Sequence, residues 1–135
     1  MNFTDTITIY NHYKENGHDK WLRTVLKGCQ WRRKIVRTVD SGGKVIKTNE
    51  VSITIPMRDG YKVATDWARL ADKASCWTID TEHSLDMIVL GEVKIELSEA
   101  YPPTNLKRDY PDVITAKTLA DNTNRDRLKH WKVTS

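Results

Sequence analysis

Four histidines, two cysteines and one group of carboxylates are the side chains in this chain most suited to catalysis or metal binding. Their spacing argues against a site. His12, His18, His83 and His130 are dispersed along the sequence, with no HExxH pair and no metal-ligand spacing on an expected helix. Cys29 and Cys76 stand apart, with no CxxC and no Cys/His cluster, so they read as free thiols in a reducing compartment. Their apolar and aromatic neighbours would raise a thiol pKa and blunt a nucleophile. Asp80, Glu82 and Asp86 gather about a turn, where paired carboxylates could hold a divalent ion or move protons. A solvent-facing loop accounts for them more simply. Gly42-Gly43 precedes strand residues instead of a helix N-terminus, so it is no phosphate cradle, and no serine sits in an elbow motif. The expectation is a protein that is not an enzyme and uses no metal and no cofactor.

Charge is distributed unevenly. Between Lys20 and Lys47 the basic residues are Lys20, Arg23, Lys27, Arg32, Arg33, Lys34, Arg37, Lys44 and Lys47, against the single acid Asp40. That segment carries +8 of a chain total of +4, which leaves −4 for everything else. A basic ribbon beside an acidic body suits nucleic acid, because Lys and Arg neutralise phosphates and release counterions. It also suits self-assembly, with the ribbon of one subunit on the body of the next. A merely solvated basic face is the plain alternative. The residues at stake are Arg32, Arg33, Lys34, Arg37, Lys44 and Lys47.

These side chains need elements to position them, and the hydrophobic period is two far more often than three and a half. Glu92 to Leu97 and Val51 to Ile55 alternate most cleanly. Thr6 to Tyr10, Trp21 to Leu26, Cys29 to Val39, Val45 to Ile55, Cys76 to Asp80, Asp86 to Leu90, Val113 to Ala120 and Leu128 to Val133 are further strands, rich in β-branched and aromatic residues. Asp40-Ser41-Gly42-Gly43 supplies the positive φ of a turn, so Cys29 to Ile55 reads as one long β-hairpin. Its charges fall on both parities, which fits an arm projecting into solvent with Trp31, Ile35 and Val36 as anchors. Short helices are expected at Thr65 to Ala71, capped by Thr65 or Asp66, and at Asn105 to Tyr110 before Pro111. The plan is mainly β: a small β-barrel with a long projecting hairpin and one or two short helices, in a single domain over residues 1–135. No apolar run approaches the ~18 residues of a membrane span, and the product is expected in the cytoplasm when made.

The five tryptophans point mostly inward. Trp131, near the end of the chain, is expected to close the sheet. Trp77, Ile79, Val93, Ile95, Leu97, Ile53, Ile55 and Trp131 form the expected core, and Trp67 is expected to cap one end of the barrel together with Trp77. Trp31 is the exception: beside Arg32, Arg33 and Lys34 it reads as an interface aromatic.

The closing Asp121-Asn122, then Arg, then His130-Trp131-Lys132-Val133 accompanies blocks at Ile7 to Tyr13, Trp21 to Gly28 with Trp31, Val51 to Ile55 and Ser75 to Ile79. In that order they resemble a family of small head-tail connector proteins of tailed phages and prophages of Gram-positive bacteria, over nearly the whole chain. Pro102 to Asp112 departs from the pattern. The resemblance implies a β-barrel that forms a homo-oligomeric ring in the virion neck. It would be a head-closure or stopper component between a portal-side connector or adaptor and the tail terminator or tail tube protein, with no membrane partner. The basic hairpin would then face neighbouring subunits or the passage of packaged DNA, without sequence preference. A tail terminator ring and a free nucleic-acid-binding β-barrel are the alternatives.

Overall fold

Alternation of Ile7 and Ile9 with Thr8 and Tyr10 makes the first strand two-faced, and in a computed structural model it extends well beyond that run, as β1 (Asp5–Glu15). The structure describes residues 3–82, 86–124 and 126–135, without the side chains of Val36, Thr48 and Asn49. β1 turns at Asn16-Gly17, with φ of 54° and 77°, into β2 (His18–Val39), which pairs antiparallel with it. Asn-Gly is the dipeptide a two-residue primed turn demands. Trp21 to Leu26 and Cys29 to Val39, expected as separate strands, are parts of this one strand. Gly28, at φ 74°, marks where β2 leaves β1 and takes up β3 (Val45–Pro56) as its neighbour.

β4 (Met87–Leu90), β5 (Val113–Thr115), β6 (Thr118–Asp121) and β7 (His130–Thr134) complete a seven-stranded sheet in the order β5-β4-β1-β2-β3-β7-β6. Every pairing is antiparallel, and the sheet curls strongly into a half-barrel, so the mainly β plan holds. Its outermost strands are two parts of the expected Val113 to Ala120 strand, broken at Ala116-Lys117. Thr115 and Thr118 lie three steps apart in the chain, at most ~11 Å, so the curl must bring the two edges together there. Ala116 N–H donates to the Asp86 carbonyl at 3.3 Å, and Lys117 N–H donates to the Thr134 carbonyl on the β7 side at 3.0 Å.

The expected core divides in two. Trp77, Ile79, Ile53, Ile55 and Trp131 share a cluster inside the curl with Ile7, Ile9 and Ile88. Trp131 is 4% exposed and sits between Tyr61 and Trp77, with ring centroids at 4.5 and 5.4 Å. Val93 and Leu97, with half-buried Ile95, pack instead on the outer face, against Tyr10, Trp21, Met87, Val89 and Leu106. A sheet has two faces, and alternation reports burial without saying which face buries. Trp67 joins neither group; it packs edge-on to Tyr13 at 6.0 Å, so Trp67 and Trp77 do not cap the barrel together.

Two expected strands are absent for a related reason. Glu92 to Leu97 keeps its alternating burial but joins no ladder. It is held by side chains: Thr8 Oγ1 donates to Gly91 O and accepts from Val93 N–H, and Tyr10 OH donates to Ile95 O. In β pairing among the described residues, Cys76 to Asp80 makes only the isolated bridge Tyr61↔Trp77. Helices α1 (Ala64–Ala68) and α2 (Pro103–Asp109) lie where short helices were expected. Their caps differ: Val63 precedes α1 without a side-chain cap, so Thr65 and Asp66 lie inside it, and Pro103 opens α2 at the position that needs no N–H.

Candidate functional site

The hairpin leaves the sheet about where its outer neighbours end. β1 last meets β2 at Cys29, and β7 last meets β3 at Ser52. From Arg33 to Val39 and from Val45 to Glu50 the two strands pair only with each other. Asp40 organises the tip: its Oδ1 accepts from Gly42 and Lys44 N–H at 2.9 and 2.8 Å, and Gly43 takes φ 82°.

Directly opposed residues of an antiparallel pair share a face, and the register therefore divides the six expected cations. Arg33 opposes Val51 and Arg37 opposes Lys47, on the face that continues the barrel interior past Trp31↔Ile53. Arg32 opposes Ser52 and Lys34 opposes Glu50, on the outer face. Lys44 lies next to the tip. Interleaved with the first group are Ile35 and the pair Val39↔Val45, exposed to 67%, 64% and 42%. The sequence alone placed these charges in one patch because a two-residue period assigns faces only once pairing is known.

Trp31 is not a bare interface residue. It is half-buried against the interior cluster, and its backbone N–H donates to Asp5 Oδ2 at 2.8 Å, so it roots the hairpin. Arg33 donates to the Asp112 carboxylate. A hollow of about 520 Å³ opens beside this pair, between Trp31, Val51, Lys107, Lys117 and Ser135. A second hollow, of about 500 Å³, lies on the outer face between Arg32, Lys34, Glu50, Ser52, Thr54, Lys132 and Thr134. Lys132 joins the expected cations here; its alternation with inward-facing Trp131 and Val133 is the sequence signal that it faces outward.

Most of the other candidates for catalysis or metal binding are held by local contacts. His12 Nε2 lies 2.9 Å from Asp19 Oδ1, a contact that lowers the Asp19 pKa, and His18 Nδ1 lies 3.2 Å from Glu99. His130 Nδ1 meets Leu128 O; His83 lies outside the described residues. Burial pushes the Cys29 thiol up to about 11, with Arg58 opposing. Asp86 corrects the expected solvent-facing loop: it is 2% exposed, and its carboxylate accepts from His12 N–H, Asp80 N–H and Asn11 Nδ2 at 2.8, 2.9 and 2.9 Å. It ties the 78–82 segment to β1. Among the described residues no group of three metal-ligating side chains converges.

No curated protein and no solved structure matches the chain significantly. A family model does match, over residues 2–135, and the chain therefore belongs to the family of unknown function DUF6751.

Proposed function

We propose that this chain is a structural subunit without enzymatic activity that assembles into a ring, as a head-closure (stopper) component in the neck of a tailed phage or prophage. The observation that carries this reading is the hairpin. A two-stranded ribbon is marginal in water on its own, and here it also exposes Ile35, Val39 and Val45 on one face. Exposed apolar side chains grouped in this way mark an interaction surface. Arg37 and Lys47 beside them favour an acidic partner, and the chain outside residues 20–47 carries a net −4. A neighbouring subunit of the same kind meets both requirements. In this reading Trp31 stiffens the root of the arm, a portal-side adaptor and a tail protein flank the ring, and packaged DNA passes through it.

Sedimentation and electron microscopy of the purified chain test the assembly. Rings are expected from the wild type and monomers from Val39→Glu combined with Val45→Glu. Disruption of the coding region in its native genome should yield DNA-filled heads that do not join tails. A wild-type chain that stays monomeric at high concentration, together with intact particles from the disrupted genome, would sink the reading.

A further inference from the structure

The outer face of the half-barrel is finished differently on its two sides. Over β1 and β4 it is apolar and covered by residues 91–110, through Val93, Leu97 and Leu106. Over β2, β3 and β7 it is a mixed hollow, in which Arg32, Lys34, Lys132, Ser52, Thr54 and Thr134 stand with the apolar side chains of Phe3 and Leu128. The register sets these side chains out in rows: Arg32↔Ser52↔Thr134 across three strands, and Thr54↔Lys132 in the row two residues along. Rows on one face repeat every ~6.8 Å along a strand, and neighbouring strands lie ~4.8 Å apart. The result is a short grid of hydroxyls and cations. One carboxylate, Glu50, lies among the lining residues, opposite Lys34.

We infer that this outer face binds the sugar-phosphate backbone of a nucleic acid duplex, through Arg32, Lys34 and Lys132 as charges and the hydroxyls of Ser52 and Thr54 as donors, while the Thr134 hydroxyl is engaged with that of Thr118. Three cations against one carboxylate, set among hydroxyls, favour that occupant. Much of the bonding to DNA runs from Arg, Lys, Ser and Thr to phosphate oxygens. Short hydroxyls on a sheet surface do not reach base edges, so the contact carries no sequence preference. The opposite face of the same hairpin, with Ile35, Val39 and Val45, is left for protein contact. The ring gives this inference its setting, but duplex binding by the chain itself tests it separately.

The test is fluorescence anisotropy of labelled 20-bp duplexes of two unrelated sequences, titrated with the full chain at 50 and 200 mM salt. Three phosphate contacts predict an affinity that falls about 40-fold between those salts. Arg32→Glu, Lys34→Glu and Lys132→Glu together should abolish binding at 50 mM, and Glu50→Gln should tighten it several-fold. Arg37→Glu with Lys47→Glu, on the other face, should leave duplex binding unchanged when both chains carry Val39→Glu and Val45→Glu and are compared as monomers. If the triple reversal unfolds the chain, judged by circular dichroism, Arg32→Gln with Lys132→Gln should instead lower the salt slope by about two phosphates. Absence of wild-type binding at 50 mM, an equal loss in the opposite-face variant, or a tenfold preference between the sequences would each overturn the inference. A monomer that binds duplex would discard the ring and keep this site; a ring indifferent to duplex would do the reverse.

Discussion

Asp86 is a carboxylate almost shut off from water and held by three N–H groups. Burial raises its pKa from 3.8 to about 6, against the hydrogen bonds that favour the ionised form. A carboxyl that binds its proton more tightly when folded stabilises the fold most below its unfolded pKa and loses that contribution as pH rises through its folded one. Asp86 should therefore make the fold less stable between pH 4 and pH 7 by on the order of 2 to 3 kcal/mol. Asp19, Asp109 and Asp121 have lowered values and act in the opposite sense, mainly at lower pH. In urea titrations at a series of pH values, Asp86→Asn should flatten the slope between pH 5 and 7. The same variant should lose roughly 1–3 kcal/mol outright, because an amide nitrogen or a misplaced oxygen leaves buried donors without acceptors. At Trp131 the expectation is purely one of packing. Its Nε1 has no hydrogen-bond partner among the described residues, so Trp131→Ala should cost about 3–5 kcal/mol through the emptied space. Calorimetry showing an unchanged melting temperature would contradict the burial.

Among the elements, Glu92 to Leu97 is the segment whose pattern and structure diverge. It alternates like a strand because Val93 and Leu97 dock on the sheet, while side chains of β1 do the work of a ladder. Thr8→Val keeps the shape and removes both bonds of the hydroxyl. Destabilisation of about 1–3 kcal/mol is expected, with faster hydrogen exchange at the Val93 amide. Exchange at Val93 unchanged from wild type would mean that packing alone holds the segment. The hairpin makes the contrary case. Every described side chain from Lys34 to Glu50 is exposed. Replacing residues 34–50 with Asn-Gly joins the opposed pair Arg33 and Val51 through the turn type that already links Glu15 to His18. That variant should melt within a few degrees of the wild type while losing self-association. A large fall in melting temperature would make the arm part of the folding unit.

At the scale of the molecule, strand dominates and the two helices are short. Far-ultraviolet circular dichroism should show a strand-type spectrum, and a helical one would contradict the period of two that runs through the chain. That period, the Gly-rich turn at the hairpin tip, the brief helices near residues 65 and 105 and the inward Trp131 all follow from the sequence by itself. They rest on local preferences and on which side chains water rejects. The Asn16-Gly17 turn is equally legible there, since Asn-Gly is the dipeptide of a two-residue primed turn. Other features needed the folded chain. Only pairing decides that Val93 and Leu97 bury on the far face from Trp77, because alternation is the same on either face. Only the curl brings the ends of the sheet to Ala116-Lys117, and only the meeting of β1 with the 78–82 segment turns Asp86 from a loop acid into a buried hub. The six cations of the hairpin were plain in the sequence, but their division between two faces, and the addition of Lys132 to one of them, depend on the register of β2, β3 and β7. Register is a long-range property, settled by contacts between residues far apart in the chain, and a sequence read locally does not contain it.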